Sequence, residues 1–457
     1  MSKSSVHPRV LQPDYIEQRA DLYLMIWRDI PHWMVADADV LKTIKLADGT
    51  RRISDIVSVI QESGSPSPSY DEIGMLLVTL EKAELVPQDG PTPQAAPIDP
   101  LLENVTVNVT RHCNLRCTHC FVPNSDSIRT TLDVNDLERF LEEGSQSISP
   151  NLNFAILGGE PLLEKEKTLD IARLGNKLGA EVIVSTNGLL IDDEFAQNAK
   201  DLGLAVQVSL EGSTSELNDT IRGEGSFERA MKGVKILVNN GTYSLISMVV
   251  TMNNLSDIPA FYHLGRILGV NEIRFIEMRR MGRALSEGIE PVPSAVLVES
   301  IHKLLTDHPE ARKYVIRDHL SVMKYLCARS KKRAYCGAGL KTILIDADGE
   351  VYPCPNHAKP EFSCGNIRNH LFGEIWMESD TLKHLRSTYQ IDQINEVCSQ
   401  CAIKYWCLGG CRGETYENTT NLRAVGVGCE SLRKGIIETF WLLATGEEAT
   451  ATKTEYF

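Results

Sequence analysis

Three cysteines in one short loop are the most chemically distinctive group in the sequence. Cys113, Cys117 and Cys120 have the spacing Cys-x3-Cys-x2-Cys and follow the alternating, strand-like run 105–109, which places the thiols just past a strand's carboxyl end. Three thiolates can hold three irons of a cubane iron-sulfur cluster and leave the fourth iron open to a small molecule. A structural zinc site is the alternative, but it needs a fourth ligand, and His119 is poorly placed to provide one.

A larger set of cysteines occupies the C-terminal part of the chain. Its members are Cys336, Cys354, Cys364, Cys398, Cys401, Cys407, Cys411 and Cys429. Between the first two, the run 343–354 contains Ala-Asp-Gly, a favoured tight turn, and predicts a β-hairpin. A hairpin and loops with so many thiols bury too little apolar area to fold without metal. Zinc is again an alternative, because Cys-x2-Cys is a zinc-ribbon spacing.

Length and composition narrow the class of protein. A chain of 457 residues exceeds what one hydrophobic core usually serves, so two or three domains are expected. A net charge of -14 and a pI near 5.4 argue against a nucleic-acid partner, which draws on clustered Lys and Arg. No apolar run approaches the ~20 residues of a membrane span, and the N-terminus lacks a signal-peptide core. We expect a cytoplasmic protein whose 12 cysteines bind metal or do redox work.

The N-terminal region predicts a small domain followed by a linker. Residues 1 to about 15 lack periodicity and predict a frayed terminus. Over 16–86, strands followed by apolar residues at helical spacing predict a winged-helix-like domain. Its predicted strands and helices are 23–27, 32–35, 53–60 and 70–85. Residues 87–102, rich in proline and small residues, predict a semi-extended linker.

Apolar, β-rich runs alternate with helical stretches through residues 103–285, which predicts an α/β domain. Six runs are near-continuous hydrophobic strands, as buried parallel strands should be. They are 105–109, 154–157, 182–185, 205–210, 246–250 and 273–276. Six β/α units make a partial (β/α)6 barrel, in which chemistry gathers at the carboxyl ends of the strands. Residues 286–335 then predict a helical bridge with buried stripes, and 336–445 form the cysteine-rich domain.

Polar and glycine residues follow several of these strands. Gly158, Gly159, Glu160 and Pro161 come after the second strand. Glycines let a ligand approach the backbone closely, although a plain strand-to-helix turn with Pro in the first helical turn is the alternative. Later candidates are Ser185 and Asn187 at the third strand end, Ser209 and Glu211 at the fourth, and Arg222 beyond it.

The cysteine loop and these strand-end segments together resemble the radical S-adenosylmethionine (SAM) superfamily. The resemblance implies that Cys113, Cys117 and Cys120 hold a 4Fe-4S cluster whose open iron chelates SAM. One electron then cleaves SAM and gives a 5′-deoxyadenosyl radical. His119 stands where many members have an aromatic residue.

The same resemblance implies a set of SAM contacts. Residues 158–161 are expected to bind the SAM amino group, with the strand end at Ser185 and Asn187 beside it. Ser209 and Glu211 are expected near the ribose hydroxyls, for which a hydroxyl and a carboxylate are suitable partners. The guanidinium of Arg222 is expected to pair with the SAM carboxylate, and an ordinary surface salt bridge is the alternative.

The order of the C-terminal cysteines resembles the SPASM extension of radical SAM enzymes, which houses two auxiliary 4Fe-4S clusters. With the first cluster this makes three. The implied ligands of the outer cluster are Cys398, Cys401, Cys407 and Cys429. Those of the inner cluster are Cys336, Cys354, Cys411 and Cys364, with Cys327 as the alternative for the last. If neither Cys364 nor Cys327 binds, the inner cluster has an open iron.

The order of strands and helices in the N-terminal domain resembles the leader-peptide recognition element of ribosomal-peptide maturation enzymes, typified by the PQQ-biosynthesis peptide chaperone. Such a domain implies a ribosomal precursor peptide as substrate, with its leader bound there. A DNA-binding wing is the alternative, and the acidic charge of the chain disfavours it.

These resemblances imply a maturase that abstracts hydrogen from a leader-bearing peptide and installs a cross-link. A cysteine thioether is the first expected product and a carbon-carbon bond the second. An electron donor such as a flavodoxin or ferredoxin is implied. Two alternatives stay open: a formylglycine-forming enzyme of the anaerobic sulfatase-maturating type, and a non-enzymatic iron-sulfur scaffold or sensor that binds peptide.

Overall fold

The structure, a computed structural model, describes residues 7–62, 69–87, 99–122, 130–315 and 335–445. Its N-terminal unit is an antiparallel sheet with β2 between β1 and β3, followed by three helices. The bounds are β1 Tyr15–Arg19, β2 Leu22–Trp27, β3 His32–Asp37, α1 Ala38–Leu46, α2 Ile53–Gln61 and α3 Tyr70–Lys82. The predicted strands and helices of this unit are all present. Strand β1 and helix α1 were not predicted.

The prediction of a frayed terminus up to about residue 15 is wrong for its second half. Val10 is buried, and its backbone N–H donates to the carbonyl of Ala47 (2.8 Å). The N–H of Leu11 donates to the carbonyl of Leu85 (2.8 Å). This segment has no periodicity of its own because long-range backbone hydrogen bonds, which a local pattern does not show, hold it against the helices.

Six parallel strands in sequential order form the centre of the molecule, which confirms the α/β partial (β/α)6 barrel. The strands are β4 Leu102–Asn108, β5 Ile148–Leu157, β6 Glu181–Thr186, β7 Ala205–Ser209, β8 Tyr243–Val250 and β9 Glu272–Glu277. The helices are α4 Val134–Glu143, α5 Lys165–Lys177, α6 Asp193–Asp201, α7 Ser215–Arg222, α8 Ser226–Asn240, α9 Ile258–Leu268, α10 Gly282–Ser286, α11 Ser294–Asp307 and α12 Arg312–Val315.

Alternation along the strands separates a packed face from an open one. In β7, Val206 and Val208 are buried in the main hydrophobic core, whereas Gln207 and Ser209 are half-buried. Because successive side chains of a strand point to opposite faces, the half-buried set faces the barrel interior. Ser185, on β6, has the same half-buried environment. The barrel interior is therefore polar and accessible near the strand ends.

The C-terminal region contributes a hairpin and six short or medium helices. They are β10 Thr342–Ile345, β11 Val351–Tyr352, α13 Phe372–Trp376, α14 Asp380–Thr388, α15 Glu396–Ser399, α16 Lys404–Cys407, α17 Arg412–Thr419 and α18 Cys429–Thr445. The predicted hairpin is present, but it is not a separate unit. Strand β10 pairs in parallel with β4 and extends the barrel sheet to eight strands.

The N-terminal unit packs against the C-terminal region through the face of its sheet that its own helices do not cover. Leu24 and Ile26 share a hydrophobic cluster with Phe440 and Trp441 of α18. The ring of Trp33 stacks on Phe440 with centroids 4.6 Å apart. This apolar contact buries several large side chains, each of which contributes roughly 1.5–3 kcal/mol on leaving water. The unit is thus fixed to the molecule.

Parts of the predicted linker and bridge lie outside the described residues. In the bridge, Ile301, Leu304 and Leu305 of α11 are buried, as their spacing predicts. The second predicted stripe, in 322–326, and the candidate ligand Cys327 lie outside the described part of the chain, as do 88–98 of the linker. None of the helices in the described ranges is long and apolar enough to cross a membrane.

Candidate functional site

The first three cysteines lie together in the loop that follows β4, at the carboxyl edge of the sheet. Burial, with smaller contributions from Glu160, Cys117 and Cys120, raises the pKa of the Cys113 thiol to about 11. Burial also raises the pKa of Cys117, while the guanidinium of Arg222 opposes the rise. These mutual effects show that the three thiols share one site. A metal that binds them must displace protons, so binding weakens at low pH.

The Gly-Gly-Glu-Pro segment is joined to this loop by backbone hydrogen bonds. The N–H of Gly159 donates to the carbonyl of Thr110 (2.7 Å), and the N–H of Glu160 donates to the carbonyl of His112 (2.8 Å). A Cβ at position 159 would overlap the backbone of His112. Glycine is needed here because two backbones meet with no room for a side chain.

Glu160 is buried with most of its hydrogen-bonding capacity in use. Its carboxylate accepts from the Thr186 hydroxyl (2.6 Å), the Asn187 backbone N–H (2.8 Å) and the Leu162 N–H (3.0 Å). Burial raises the pKa of Glu160, and these hydrogen bonds oppose the rise. A carboxylate has about four acceptor positions, so one remains for a cationic ligand. The side chain of Asn187 donates to Asn114 in the cysteine loop (2.7 Å).

Glu211 and Arg222, both predicted to contact SAM, are paired with each other. The guanidinium donates to the carboxylate of Glu211 through Nε (3.1 Å) and Nη2 (2.5 Å). His119 Nε2 lies 3.0 Å from the same oxygen, and the N–H of Val249 donates to the other oxygen (2.9 Å). Three of these contacts fall on one oxygen of Glu211 and one on the other, so most of its acceptor capacity is in use. The sequence left two partners open for Arg222, the SAM carboxylate or a surface salt bridge. In the structure Arg222 forms a salt bridge with Glu211, and this salt bridge is buried.

The pKa of Glu211 reflects this network. Burial of the carboxylate opposes ionisation, but attraction to His119 and Arg222 outweighs burial and holds the pKa of Glu211 below its ordinary value. A carboxyl group with a depressed pKa stabilises the fold above its unfolded pKa and loses that effect as the pH falls through the folded value. Sequence reasoning did not find the pairing, because residues on β7, α7 and the cysteine loop meet only in the fold.

Replacing Glu211 with glutamine should destabilise the protein by roughly 3 kcal/mol, because it leaves the buried guanidinium of Arg222 without its counter-charge. Anaerobic urea unfolding of the reconstituted protein at neutral pH measures this. The matched control is Glu216→Gln on the exposed side of α7, which should change stability by less than about 0.5 kcal/mol. Equal unfolding midpoints for the two variants would contradict the role of the buried pair.

A second connection runs from the cysteine loop to the C-terminal region through segment 279–283, which follows β9. Arg283 donates from its backbone N–H to the carbonyl of Cys120 (2.9 Å) and from Nε to that of Cys117 (2.8 Å). On its other side the segment exchanges hydrogen bonds with α17. The N–H of Arg280 donates to Glu414 (2.7 Å), that of Gly282 donates to Glu417 (2.8 Å), and the Arg280 carbonyl accepts from Asn418 Nδ2 (2.9 Å). The first cysteine loop is thereby fastened to the helix that begins after Cys411.

The other predicted SAM contacts lie along the barrel interior. The Ser185 hydroxyl accepts from Gln207 (3.2 Å), which in turn accepts from Arg274 on β9 (3.0 Å). Ser209 is half-buried at the end of β7. Both hydroxyls therefore face the same interior as Glu160. Gln207 and Arg274 belong to no recognisable motif, so the sequence analysis did not identify them.

Four C-terminal thiols form one group beside the N-terminal unit. Burial, with smaller contributions from Cys401, Cys429 and Cys398, raises the pKa of Cys407 to about 12. Cys401 and Cys407 also pack against the apolar cluster that joins the N-terminal sheet to α18. The structure thus brings together the four cysteines predicted for the outer cluster.

Three thiols form the inner group, and Cys364 is not among them. Burial raises the pKa of Cys354 well above its ordinary value, with Cys336 and Cys411 adding to the rise. Burial also raises the pKa of Cys364 to about 12, but the groups that act on it are Ser379, Glu350 and Arg386, none of them a thiol. Cys364 instead packs in the main hydrophobic core. Although Cys364 lies between Cys354 and Cys398 in the sequence, in the fold it does not lie beside the inner group of Cys336, Cys354 and Cys411.

The donor arrangement also bears on the choice between zinc and clusters. Among the described residues, no three His, Cys, Asp or Glu side chains converge on a point suited to a single metal ion. In a cubane, each thiolate binds a different iron, so the sulfurs lie farther apart than those around one zinc. Groups of three, three and four neighbouring thiols fit clusters.

Comparison with known proteins identifies the class. Residues 107–265 match the radical SAM superfamily model, and residues 336–402 match the iron-sulfur cluster-binding SPASM domain. The chain is a radical SAM protein with a SPASM domain. It therefore uses SAM, a 4Fe-4S cluster and auxiliary iron-sulfur clusters.

Curated relatives cover about two thirds of the chain. An AdoMet-dependent heme synthase of Methanosarcina barkeri is 26% identical over 68% of this chain and 91% of its own length. The mycofactocin maturase MftC of Mycolicibacterium smegmatis is 29% identical over 67% of this chain and 77% of its own. The subtilosin biosynthesis protein AlbA of Bacillus subtilis is 29% identical over 68% of this chain and 67% of its own.

Solved structures share the fold at lower identity. Streptococcus suis SuiB bound to SAM superposes with a TM-score of 0.60 and 17% identity, over 92% of this chain and all of SuiB. The anSMEcpe enzyme bound to SAM superposes with a TM-score of 0.61 and 19% identity, over 77% of this chain and all of that one. Residues 99–457 make up about four fifths of the chain, so the match to SuiB extends into the N-terminal unit.

Proposed function

We propose that the protein is a radical SAM maturase that modifies a ribosomal precursor peptide and binds its leader with the N-terminal unit. The observation that carries the peptide assignment is this unit: a three-stranded sheet with three helices, fixed to the cysteine-rich region. SuiB, whose fold this chain shares over 92% of its length, has been solved with the precursor peptide SuiA. MftC and AlbA, by name a maturase and a bacteriocin biosynthesis protein, support the same class.

We assign the ligands from the thiol groups. Cys113, Cys117 and Cys120 hold the SAM-binding cluster, and their loop offers no fourth thiol. Cys398, Cys401, Cys407 and Cys429 hold the outer auxiliary cluster. Cys336, Cys354 and Cys411 hold the inner one, with its fourth position taken by Cys327 or open to the substrate, and without Cys364.

The chain's own residues position SAM. Glu160 has one acceptor position left, which suits the SAM ammonium group, since a charge-assisted hydrogen bond in a buried site is strong. Ser185 and Ser209 offer hydroxyls inside the barrel for the ribose. Glu211 and Arg222 act indirectly. Their ion pair contacts His119 and lies against Cys117, so it holds the cysteine loop in place. When bound, cluster and SAM supply a 5′-deoxyadenosyl radical.

The proposed product is a cross-link, first a cysteine thioether and second a carbon-carbon bond. For a thioether, a substrate carbon would give a hydrogen atom to the 5′-deoxyadenosyl radical, and the thiol sulfur would bond to that carbon as it loses its proton. An auxiliary cluster, when bound, would accept the one electron released. The peptide loses two hydrogens for each bond formed. A flavodoxin or ferredoxin supplies the electron that cleaves SAM, and cysteines that bind clusters rather than form disulfides suit a reducing cytoplasm.

Anaerobic turnover tests the proposal. Reconstituted, reduced protein with SAM and a co-encoded precursor peptide should release 5′-deoxyadenosine and give a peptide lighter by two hydrogens per cross-link, measured by chromatography and mass spectrometry. A cysteine that exchanges its sulfur for oxygen and also loses two hydrogens, or a serine that loses two hydrogens and then reacts as an aldehyde, would indicate formylglycine instead. Absence of 5′-deoxyadenosine would indicate a scaffold or sensor, and turnover of a porphyrin in place of any peptide would overturn the maturase assignment.

Substituting exposed apolar residues on α3 should weaken leader binding. Met75 and Val78 are 64% and 50% exposed one helical turn apart, and an amphipathic or extended leader can bury them. Met75→Ser with Val78→Ser should raise the Kd for a leader-bearing peptide roughly tenfold, given the apolar area lost. Fluorescence anisotropy of a labelled leader measures this.

The matched control for this pair is Ile267→Ser on barrel helix α9, where the side chain is 84% exposed. It should leave the Kd unchanged. Substitution is preferable to deletion of residues 1–95, because deletion exposes the apolar face that Leu24, Ile26 and Trp33 cover. A leader affinity unaffected by the α3 substitutions would remove this face from the proposal.

A further inference from the structure

A buried histidine and an asparagine contact the sulfurs of the inner thiol group. His357 is 1% exposed, and its Nδ1 lies 3.1 Å from Cys354 Sγ. Asn356 donates from Nδ2 to Cys411 Sγ at 3.2 Å. Both residues belong to the short helical turn Pro355–His357 that follows Cys354. This turn thus presents one side-chain nitrogen atom to each of two of the three sulfurs.

The distance from His357 to the sulfur indicates a hydrogen bond rather than a second metal ligand. A sulfur and a nitrogen bound to one tetrahedral zinc lie about 3.6 Å apart, given Zn–S near 2.3 Å and Zn–N near 2.0 Å. Ligands of two different irons in a cubane lie farther apart still. At 3.1 Å, Nδ1 is close enough to donate its proton to the thiolate.

Tyr389 accommodates the tautomer that this hydrogen bond needs, because its hydroxyl can donate to the unprotonated ring nitrogen. Its hydroxyl lies 2.6 Å from His357 Nε2. Neutral imidazole has one N–H donor and one acceptor nitrogen. A single tautomer satisfies both contacts when the Tyr389 hydroxyl donates to Nε2 and Nδ1–H donates to Cys354. Tyr389 is 2% exposed, so water does not compete for its proton.

Packing holds the imidazole in this orientation. The ring of Phe362 meets that of His357 edge-on, with centroids 4.9 Å apart. The backbone N–H of His357 donates to the carbonyl of Cys354 (3.0 Å). On the other side of the turn, Gly413 lets α17 approach the Asn356 carbonyl so closely that a Cβ would overlap it. The turn therefore has little freedom to move away from the sulfurs.

We propose that turn 355–357 is a hydrogen-bond platform that raises the reduction potential of the inner auxiliary cluster, with His357 as a positioning residue backed by Tyr389. The proposal rests on the assignment of Cys336, Cys354 and Cys411 as cluster ligands. N–H donors to ligand sulfurs stabilise the more negative, reduced cluster. A higher potential makes this site a better acceptor for the electron that cross-link formation releases.

Redox titration of the reconstituted holoprotein, followed by electron paramagnetic resonance, tests the platform. His357→Phe keeps the aromatic packing and removes the donor. At a fixed potential within the transition, the ratio of reduced to oxidised inner cluster should fall roughly five- to tenfold, which corresponds to the net worth of a typical intramolecular hydrogen bond. Iron content should stay at the wild-type value. Tyr389→Phe removes only the hydroxyl and should lower the ratio in the same direction by less.

Three results would overturn the proposal. An unchanged potential in His357→Phe with full iron would show that the contact does not tune the cluster. Loss of one cluster's iron from an otherwise folded His357→Phe would make the histidine a ligand. An unchanged potential in Tyr389→Phe together with cluster loss in His357→Phe would leave no tuning role. Wild-type iron too low for three cubanes would instead refute the ligand assignment itself, so the two failures are distinguishable.

Discussion

Cys117→Ala should reduce SAM cleavage to background, whereas Cys407→Ala should leave it measurable and stop peptide cross-linking. Cys117 belongs to the loop trio, and with two thiolates left the open-iron site is lost. Cys407 lies in the outer group beside the N-terminal unit, away from Glu160 and the barrel interior. Its loss leaves the SAM site intact but removes one of the auxiliary clusters on which electron release depends. Release of 5′-deoxyadenosine and peptide mass, measured on the same sample, separate the two effects.

Cys364→Ala is the matched control for both substitutions. Its thiol is buried in the main core and has no thiol neighbour acting on it. Removing one sulfur there should cost about 1 kcal/mol of stability at most, with iron content, SAM cleavage and cross-linking preserved. Loss of a cluster's iron in this variant would restore Cys364 as a ligand. Equal loss of SAM cleavage in Cys117→Ala and Cys407→Ala would refute the division of labour between the clusters.

The barrel could be predicted from sequence because each strand carries its own signal. Runs such as 182–185 and 246–250 are apolar at all but one position, the near-continuous pattern that is typical of parallel strands. Their sequential order then follows from short right-handed connections. Strand β1 was missed because Tyr-Ile-Glu-Gln-Arg is polar and lies at a sheet edge. The parallel pairing of β10 with β4 was missed because a hairpin signal is local and does not name a third partner.

The candidate functional site likewise contains features that the sequence predicted and features that it did not. The spacing of the first loop predicted its trio of thiols, and the resemblance to SPASM enzymes implied the outer four. The sequence could not place Cys364, since sequence distance to Cys354 says little about which side of a hairpin a thiol faces. Nor could it find the Glu211–Arg222 pair or the contact of His357 with Cys354. Both depend on side chains whose partners are set by packing, and neither belongs to a motif with a fixed spacing.

Gly159→Ala should disable the SAM site although it changes no ligand and no charge. The added methyl would overlap the His112 and Arg111 backbone, so the cysteine loop must move or the hydrogen bonds from Gly159 and Glu160 must break. Displacing a reacting group by about 1 Å costs on the order of 100-fold in rate. We therefore expect SAM cleavage to fall by at least that factor, with auxiliary-cluster iron retained.

Substitutions at two further glycines serve as controls for the Gly159→Ala experiment. Gly373→Ala, in helix α13, adds a methyl that meets nothing within 4 Å and should be neutral or slightly stabilising. Gly413→Ala drives a methyl into the carbonyl of Asn356, beside the inner thiol group, and should perturb that cluster while SAM is still cleaved. If Gly159→Ala cleaved SAM as fast as Gly373→Ala, the backbone junction between the Gly-Gly-Glu-Pro segment and the cysteine loop would not set the geometry of the reaction.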